Sequence, residues 1–365
     1  MDFLNAITLT KPTGLWQTIL FWFEGLVNNY AVAIILLTVC VRLCFVPIDF
    51  MNKYSSKKSA RIQNAMKPEL DKINQKYAGQ KDILNQKTME VYKRHKFNVT
   101  GMCFTMLIPM ILQLVIFTSI FSALGTVSKY ESANQYLEVR EAYFSVYEID
   151  VNEELGEGET LLGKLEAYTA TLTEEQKQAK LEEADEKALE KYRETQDSFL
   201  WIENIWLPDT AWTNPVISYD TFLSDGGVDK DLVSEEEFKL VMASPNENTR
   251  NCNGFFVLVV LSVLTSYMST AINGWITKSR AKKKGLNMEQ VSVGGGGKLM
   301  MWILPIIIGL IILFYNAAFA IYSTMGSLVL LVTNPLMTLF IDMLEFEAIE
   351  KEQKRTTASY SRKRK

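Results

Sequence analysis

A lone arginine, Arg42, interrupts the apolar run YAVAIILLTVCVRLCFVPIDF at residues 30–50. A guanidinium stays charged at any cellular pH. Carrying one to the middle of a bilayer costs at least about 2.5 kcal/mol on insertion scales. A cation held there can do one kind of chemistry: attract an anionic group and pair with it transiently where the dielectric is low. Arg42 therefore reads as facing a water-filled or protein-lined cavity. The alternative is snorkelling, because Arg42 stands five residues before Pro47 and its stem could carry the charge to the interface. Other chemistry is poorly supplied. The single histidine, His95, lies among basic residues outside the apolar blocks, so no His-dependent triad or zinc cluster can assemble within a membrane. Cys40, Cys44 and Cys103 sit in apolar context and Cys252 stands alone, which makes neither a disulfide framework nor a metal site. Cys40 and Cys44, four apart, read as small-residue packing. Gly294–Gly297 follows no strand and precedes no Gly-Lys-Ser/Thr, so it reads as a flexible linker and not a phosphate loop. No catalytic residue, metal ligand or cofactor is expected, and the chain does not read as an enzyme.

The elements that must position Arg42 are apolar blocks about 20 residues long, the length that crosses a hydrocarbon core of about 30 Å. Five blocks qualify, at 30–49, 102–125, 254–276, 299–317 and 320–341. The last two are parted only by Tyr315-Asn316 and small residues, which predicts a tight helical hairpin. Thr13 to Val27 is short, amphipathic and aromatic-rich, and suits a helix lying in the interface. The net charge of −4 hides a segregation. Residues 48–100 carry twelve Lys/Arg against five acids, 277–298 six against one, and the tail beyond 341 seven against five. Residues 126–252 reverse this, with eleven Lys/Arg against twenty-nine acids. Basic loops stay inside, so residues 50–100, 277–298 and 342–365 read as cytoplasmic. Segments 1–29 and 126–253 then read as extracytoplasmic, with the N-terminus outside. The expected fold is an all-α polytopic membrane protein with a five-span core, a cytoplasmic helical hairpin and an extracytoplasmic helical insertion.

The cytoplasmic segment predicts two weakly apolar helices that pack mainly on each other. The first is expected to break at Lys67-Pro68-Glu69, since a residue before proline disfavours helix. The second spans Gln80 to Lys93, with Ile83, Leu84, Lys87 and Val91 at helical spacing. Its basic face fits a solvated surface, anionic lipid or ribosomal RNA. In the acidic segment, TLTEEQKQAKLEEADEKALEKYRETQ reads as one long charged helix with a capping-box start at Thr173 and Gln176. Leu181, Ala184, Leu189 and Tyr192 are too sparse for a large core, which predicts a small lid-like domain.

The run VRLCFVPIDFMNKYSSKKSARIQNAMKPELDKINQKYAG, followed by KTMEVYKRHKFN, resembles the YidC family of membrane protein insertases, in which a span ending in arginine and proline leads into a basic hairpin. PMILQLVIF (109–117) resembles the family's Pro-Met-Leu-Ile-Gln-Met-Pro-Ile-Phe run, with Val115 replacing the second proline. FLWIENIWLPD (199–209) is similar to its Phe-Leu-Trp-Ile element followed by Pro-Asp. AAFAIYSTMGS (317–327) resembles Ala-Gly-Leu-x-Leu-Tyr-Trp-x-x-Ser-Asn, with Ser323 for the tryptophan and Ser327 for the asparagine. The likeness covers about 30–125, 199–277 and 299–341. The acidic stretch at 131–197 and the four glycines depart from it.

The resemblance implies a hydrophilic intramembrane groove, open to cytoplasm and lipid and centred on Arg42. Gln113 matches the motif glutamine and would add a neutral donor and acceptor, or serve as interhelical glue. Ser262, Thr265, Ser266 and Tyr267 form a polar stretch in the third block that either lines the groove or makes plain helix contacts. The implied clients are nascent membrane proteins in a bacterial cell membrane. Implied partners are the ribosome, through the basic tail (SRKRK, 361–365) and the cytoplasmic loops (Lys278, Arg280, Lys282 to Lys284), and anionic lipids; the Sec translocon stays an open partner. A secondary transporter or channel with Arg42 as anion site is the alternative, weakened by the absence of a paired repeat.

Overall fold

The computed structural model describes residues 9–95, 97–153, 159–226, 232–283 and 295–363. Among these residues the chain is helical, and the only strand-like feature is an isolated antiparallel bridge between Phe199 and Ile202. Helix α1 is Leu15–Val27, α2 Tyr30–Lys76, α3 Lys81–Arg94 and α4 Val99–Ser145. The acidic segment holds α5 (Leu161–Ala170), α6 (Glu174–Glu194), α7 (Tyr219–Gly226), α8 (Glu235–Val241) and α9 (Ala243–Asn248). Helices α10 (Val257–Lys283), α11 (Gly295–Phe314) and α12 (Ala317–Lys363) complete the chain. Four stretches are long and apolar enough to cross a membrane: Tyr30–Ser59, Leu107–Ser145, Val257–Ile276 and Ala317–Leu344. The block at 299–317 falls on α11, whose apolar stretch among the described residues is Pro305–Phe314. The fold is all-α and polytopic.

Three helices, α2, α4 and α12, each run for 47 residues. At 1.5 Å per residue each is about 70 Å long, roughly twice the hydrocarbon thickness, so each must carry its polar part out of the membrane. In α2 this overturns the expected break at Lys67-Pro68-Glu69, because the helix passes through both Pro47 and Pro68. A proline removes one hydrogen bond and crowds the preceding turn. At Pro68 the side chain is exposed, so water can satisfy the carbonyl set free, and good helix formers flank it. The chain turns instead at Tyr77–Gln80, around Gly79. The break expected at Tyr315-Asn316 does occur: α11 ends at Phe314, and Asn316 Oδ1 accepts from the Phe319 N–H at 3.0 Å to cap α12. The glycines expected to form a linker are helical from Gly295 on, forming the first turn of α11, while Gly294 lies outside the described residues.

The chain divides into two compact units. The first comprises residues 1–38, 119–262 and 307–324. Here α4 does not stop at the end of its apolar block but continues into the acidic segment, where its Tyr136, Val139, Tyr143 and Phe144 join a buried cluster with Ala184, Ala188 and Tyr192 of α6, Phe222 of α7 and Phe238 of α8. Tyr136 stacks on Phe238 at 4.6 Å and meets Phe222 at 4.5 Å. The expectation of a sparse core fails for this reason: the buried cluster is shared among α4, α6, α7 and α8, so the few apolar residues of α6 do not have to supply it alone. The predicted capping box at Thr173 and Gln176 is present. At the membrane end, Asn253 donates to the carbonyls of Asn204, Leu207 and Pro208, and the N–H groups of Ala317 and Ala318 donate to Leu207 and Ile205.

The second unit comprises residues 39–118, 263–306 and 325–365. It holds the α2–α3 hairpin, where Met66 and Val91 are buried and Arg94 pairs with Glu69 at 3.2 Å. It also holds Arg42 and the residues around it.

Candidate functional site

Within the second unit, helix α2 holds a set of charged residues half-buried while several of its apolar residues are exposed. Arg42, Asp49, Lys53 and Lys57 are spaced seven, four and four residues apart, so they share one helix face. All four are half-buried, whereas Leu43, Cys44 and Met51 are exposed. That is the pattern of a helix in lipid, where the surface must be apolar and polar groups seek protein. Cys40 and Cys44 stand on the exposed side and do not pack between helices.

Opposite this stripe lies α12. The Arg42 guanidinium rests on Gly326: a Cβ there would stand 3.0 Å from Nη2, 3.1 Å from Nε and 3.4 Å from Cζ. A larger residue there would press the guanidinium aside by a few tenths of an ångström. Further along, Lys53 Nζ donates to the Asn334 side-chain oxygen at 2.5 Å and to its carbonyl at 3.4 Å. Lys57 pairs with Asp342, which is 6% exposed. Phe50 lies against Phe340, ring centroids 5.7 Å apart. Arg42 differs from both lysines. Its Nε is buried without a hydrogen-bond partner among the described residues, and its charge interacts with that of Asp49, two turns on.

The other expected site residues scatter. Gln113 is exposed on α4, and no hydrogen bond joins it to Arg42 among the described residues. Ser266 meets Ser327 at 3.1 Å, and Ser269 meets the Leu330 carbonyl at 3.5 Å and Asn334 Nδ2 at 3.2 Å. In the first unit, Ser262 meets Ser323 at 3.0 Å. The Ser266–Ser327, Ser269–Leu330 and Ser262–Ser323 contacts each have a separation of 61 residues, and the two within the second unit show the helices running parallel there. Tyr267 is half-buried and Thr265 buried on the same helix. Asp49, Lys53, Lys57, Gly326, Asn334 and Asp342 were not among the expected residues. Part of the signal was present: 42, 49, 53 and 57 follow the helical period on one helix, whereas 326, 334 and 342, eight residues apart, do not stand on one stripe of the other. Among the described residues no group of His, Cys, Asp or Glu could hold a metal ion. The side chains of Arg280 and Lys282 to Lys284, and of the basic tail, lie outside the described residues, while Lys278 is exposed.

The model of the 60Kd inner membrane protein family matches residues 22–342. The chain belongs to this family. Relatives named membrane protein insertase YidC include that of Fusobacterium nucleatum, 38% identical over 98 residues, covering 27% of this chain and 44% of the relative. That of Anaeromyxobacter dehalogenans is 35% identical over 105 residues, covering 29% of this chain and 18% of the relative. That of Lawsonia intracellularis is 34% identical over 124 residues, covering 34% and 21%. The matched segments thus span less than half the length of these curated relatives. No solved structure matches. Membership in the 60Kd inner membrane protein family accords with the four apolar stretches long enough to cross a membrane.

Proposed function

We propose that this chain inserts nascent membrane proteins into the bilayer, using Arg42 as a fixed cation that draws the polar end of a client into a hydrated intramembrane groove. The observation that carries this reading is the buried Arg42 Nε without a partner, on the inward face of an otherwise apolar helix. A structural arginine would have its donors filled. The Arg42 side chain is only half-buried; the buried Nε itself is closed to a client, and the charge of the whole guanidinium is what is offered to a ligand that comes and goes. Two unit charges about 4 Å apart gain about 4 kcal/mol at an effective dielectric near 20, comparable with the cost of at least about 2.5 kcal/mol for a charged residue at the membrane centre. Pairing with Arg42 therefore offsets most of the barrier to an acidic tail. No bond is made or broken, and the client's apolar span then gains its transfer free energy on leaving into lipid.

In this reading the α2–α3 hairpin and the basic tail are cytoplasmic and the acidic helices extracytoplasmic, as the charge segregation supports. Gln113 and the hydroxyls of Ser266 and Tyr267 complete the polar lining of the groove, with Gln113 contributing when a client brings α4 and α2 to the same polar segment. The ribosome and anionic lipids are partners of the basic loops, and the Sec translocon a partner for clients that need it. The experiment is reconstitution of the purified full chain in vesicles, with single-span clients that differ only in the charge of the translocated tail. Insertion of acidic-tailed clients that depends on Arg42 supports the reading. Passage of small anions dependent on Arg42, without client insertion, would instead mark a transporter or channel.

A further inference from the structure

Two bulky apolar residues of the first unit hold left-handed backbone conformations, Leu200 at φ 56° and Phe256 at φ 62°. Such residues rarely adopt this region, and the strain persists only where the surroundings over-determine it. Here they do. Phe199 and Ile202 exchange both backbone hydrogen bonds at 2.9 Å across the turn that Leu200 and Trp201 occupy. Arg250 Nη2 donates to the Trp201 carbonyl at 2.7 Å. The Phe256 N–H donates to the Asp209 carbonyl at 3.1 Å, and the Asp209 carboxylate accepts from the N–H groups of Phe255 and Leu258, each at 2.9 Å.

What this rigid frame displays is apolar. Leu200 is 75% exposed, Trp212 66% and Phe255 51%. The frame also ties them together. Trp212 rests on Phe256 with ring centroids 4.9 Å apart. Arg250 lies over the Phe255 ring at 5.6 Å while pairing with Glu203 at 2.7 Å. Strained backbone that holds large apolar side chains outward gains nothing in water. It gains in a lipid interface, and the chain supplies one: Phe255 and Phe256 lead directly into α10, a candidate span whose first turns expose Val260 and Leu261. The patch is thus continuous with the lipid-facing surface of a span, at the level where aromatic side chains concentrate.

We propose that the 199–202 turn, Trp212 and Phe255 form a rigid lipid anchor that seats Leu200 beneath the headgroups of the leaflet in which α10 begins. Arg250, partly exposed beside Phe255, keeps guanidinium donors for a lipid phosphate. The inference does not depend on Arg42 or on insertase activity.

The test uses the full chain, freed of its four cysteines, in vesicles of phosphatidylglycerol and phosphatidylethanolamine. A single cysteine carries an environment-sensitive fluorophore, placed by Leu200→Cys or, as control, by Leu181→Cys on α6. The expected result is several-fold stronger quenching of the Leu200 probe by acyl-brominated phospholipid, with iodide quenching favouring the Leu181 probe. A Leu200 probe quenched by iodide and not by bromolipid would overturn the anchor. So would one shielded from both, whether the shield is lost on dilution into excess lipid, which marks a second copy, or persists, which marks a protein contact. Leu200→Gly separates the side chain from the fold, because glycine adopts a positive φ without strain. A probe at Trp212→Cys should then lose about half its bromolipid quenching, and an unchanged value would remove Leu200 from the anchor.

Discussion

Arg140 and Arg42 are treated in opposite ways. Arg140, near the end of α4, is 4% exposed and donates its Nε to Glu237 at 2.6 Å within the tyrosine- and phenylalanine-rich core of the first unit. Burial pushes the Glu237 carboxyl up and the Arg140 guanidinium pulls it back, so each charge exists at the expense of the other's solvation. Arg42 keeps a buried Nε with no partner, against the bare backbone of Gly326. The first arginine is locked into a fold. The second rests on Gly326 with its Nε unsatisfied among the described residues, which suits the client-binding role proposed for it. The difference teaches that an arginine's role is read from what its donors meet and not from how deeply it lies.

The sharpest break in this comparison is functional. Arg42→Ala should reduce insertion of acidic-tailed clients on the order of tenfold or more while leaving uncharged tails near wild type. Arg42→Lys should retain most insertion, since a cation remains, and Arg42→Glu should be worst through like-charge repulsion. Equal loss for acidic and neutral tails would show that Arg42 only keeps its surroundings hydrated.

Arg140 should show the opposite profile. Arg140→Ala strands the Glu237 charge and should cost about 3–5 kcal/mol of stability in denaturant unfolding. Replacing both partners, Arg140→Met with Glu237→Leu, should be nearly neutral, because a buried ion pair is readily exchanged for apolar packing. Arg140→Ala proteins that unfold at wild-type denaturant concentration would end the claim that this pair is structural.

A smaller effect concerns Asp197. Burial pushes its carboxyl up to about 6, the Trp206 indole N–H at 2.6 Å pulls against this, and Glu24 reinforces it. An aspartate raised above its ordinary value of about 3.9 binds its proton more tightly when folded. Its contribution to stability is thus full below about pH 4 and lost as pH rises through about 6, at most roughly 3 kcal/mol in all. Asp197→Asn should flatten that part of the stability–pH profile measured by denaturant unfolding. An unchanged slope would assign it to other groups.

The smallest expected effect is at Thr173, whose hydroxyl caps α6 in a box with Gln176. Thr173→Ala should cost about 1 kcal/mol, seen as faster hydrogen exchange in the first turn of α6. The insertion of clients should not change.

Much of the architecture was legible without coordinates, because it depends on local quantities. Residue hydropathy over about 20 positions marks a span, the Lys/Arg surplus of 50–100 and 277–298 follows from counting, and the Thr173 cap needs only neighbouring backbone. Arg42 itself was visible as a charge in an apolar run. Helix ends were less legible. Pro68 looked like a terminator and is not one, since the cost of a single lost hydrogen bond is small against a helix of 47 residues.

Only tertiary structure could decide what each polar group meets. Arg140 and Glu237 are 97 residues apart, and nothing local tells a charged residue on α4 that its counterion waits on α8. In the same way the α10 hydroxyls found partners 61 residues on, and Lys57 found Asp342. Composition and period state that a buried charge must be satisfied or functional. Which of the two holds is a property of contacts between distant segments, and those exist only once the helices pack.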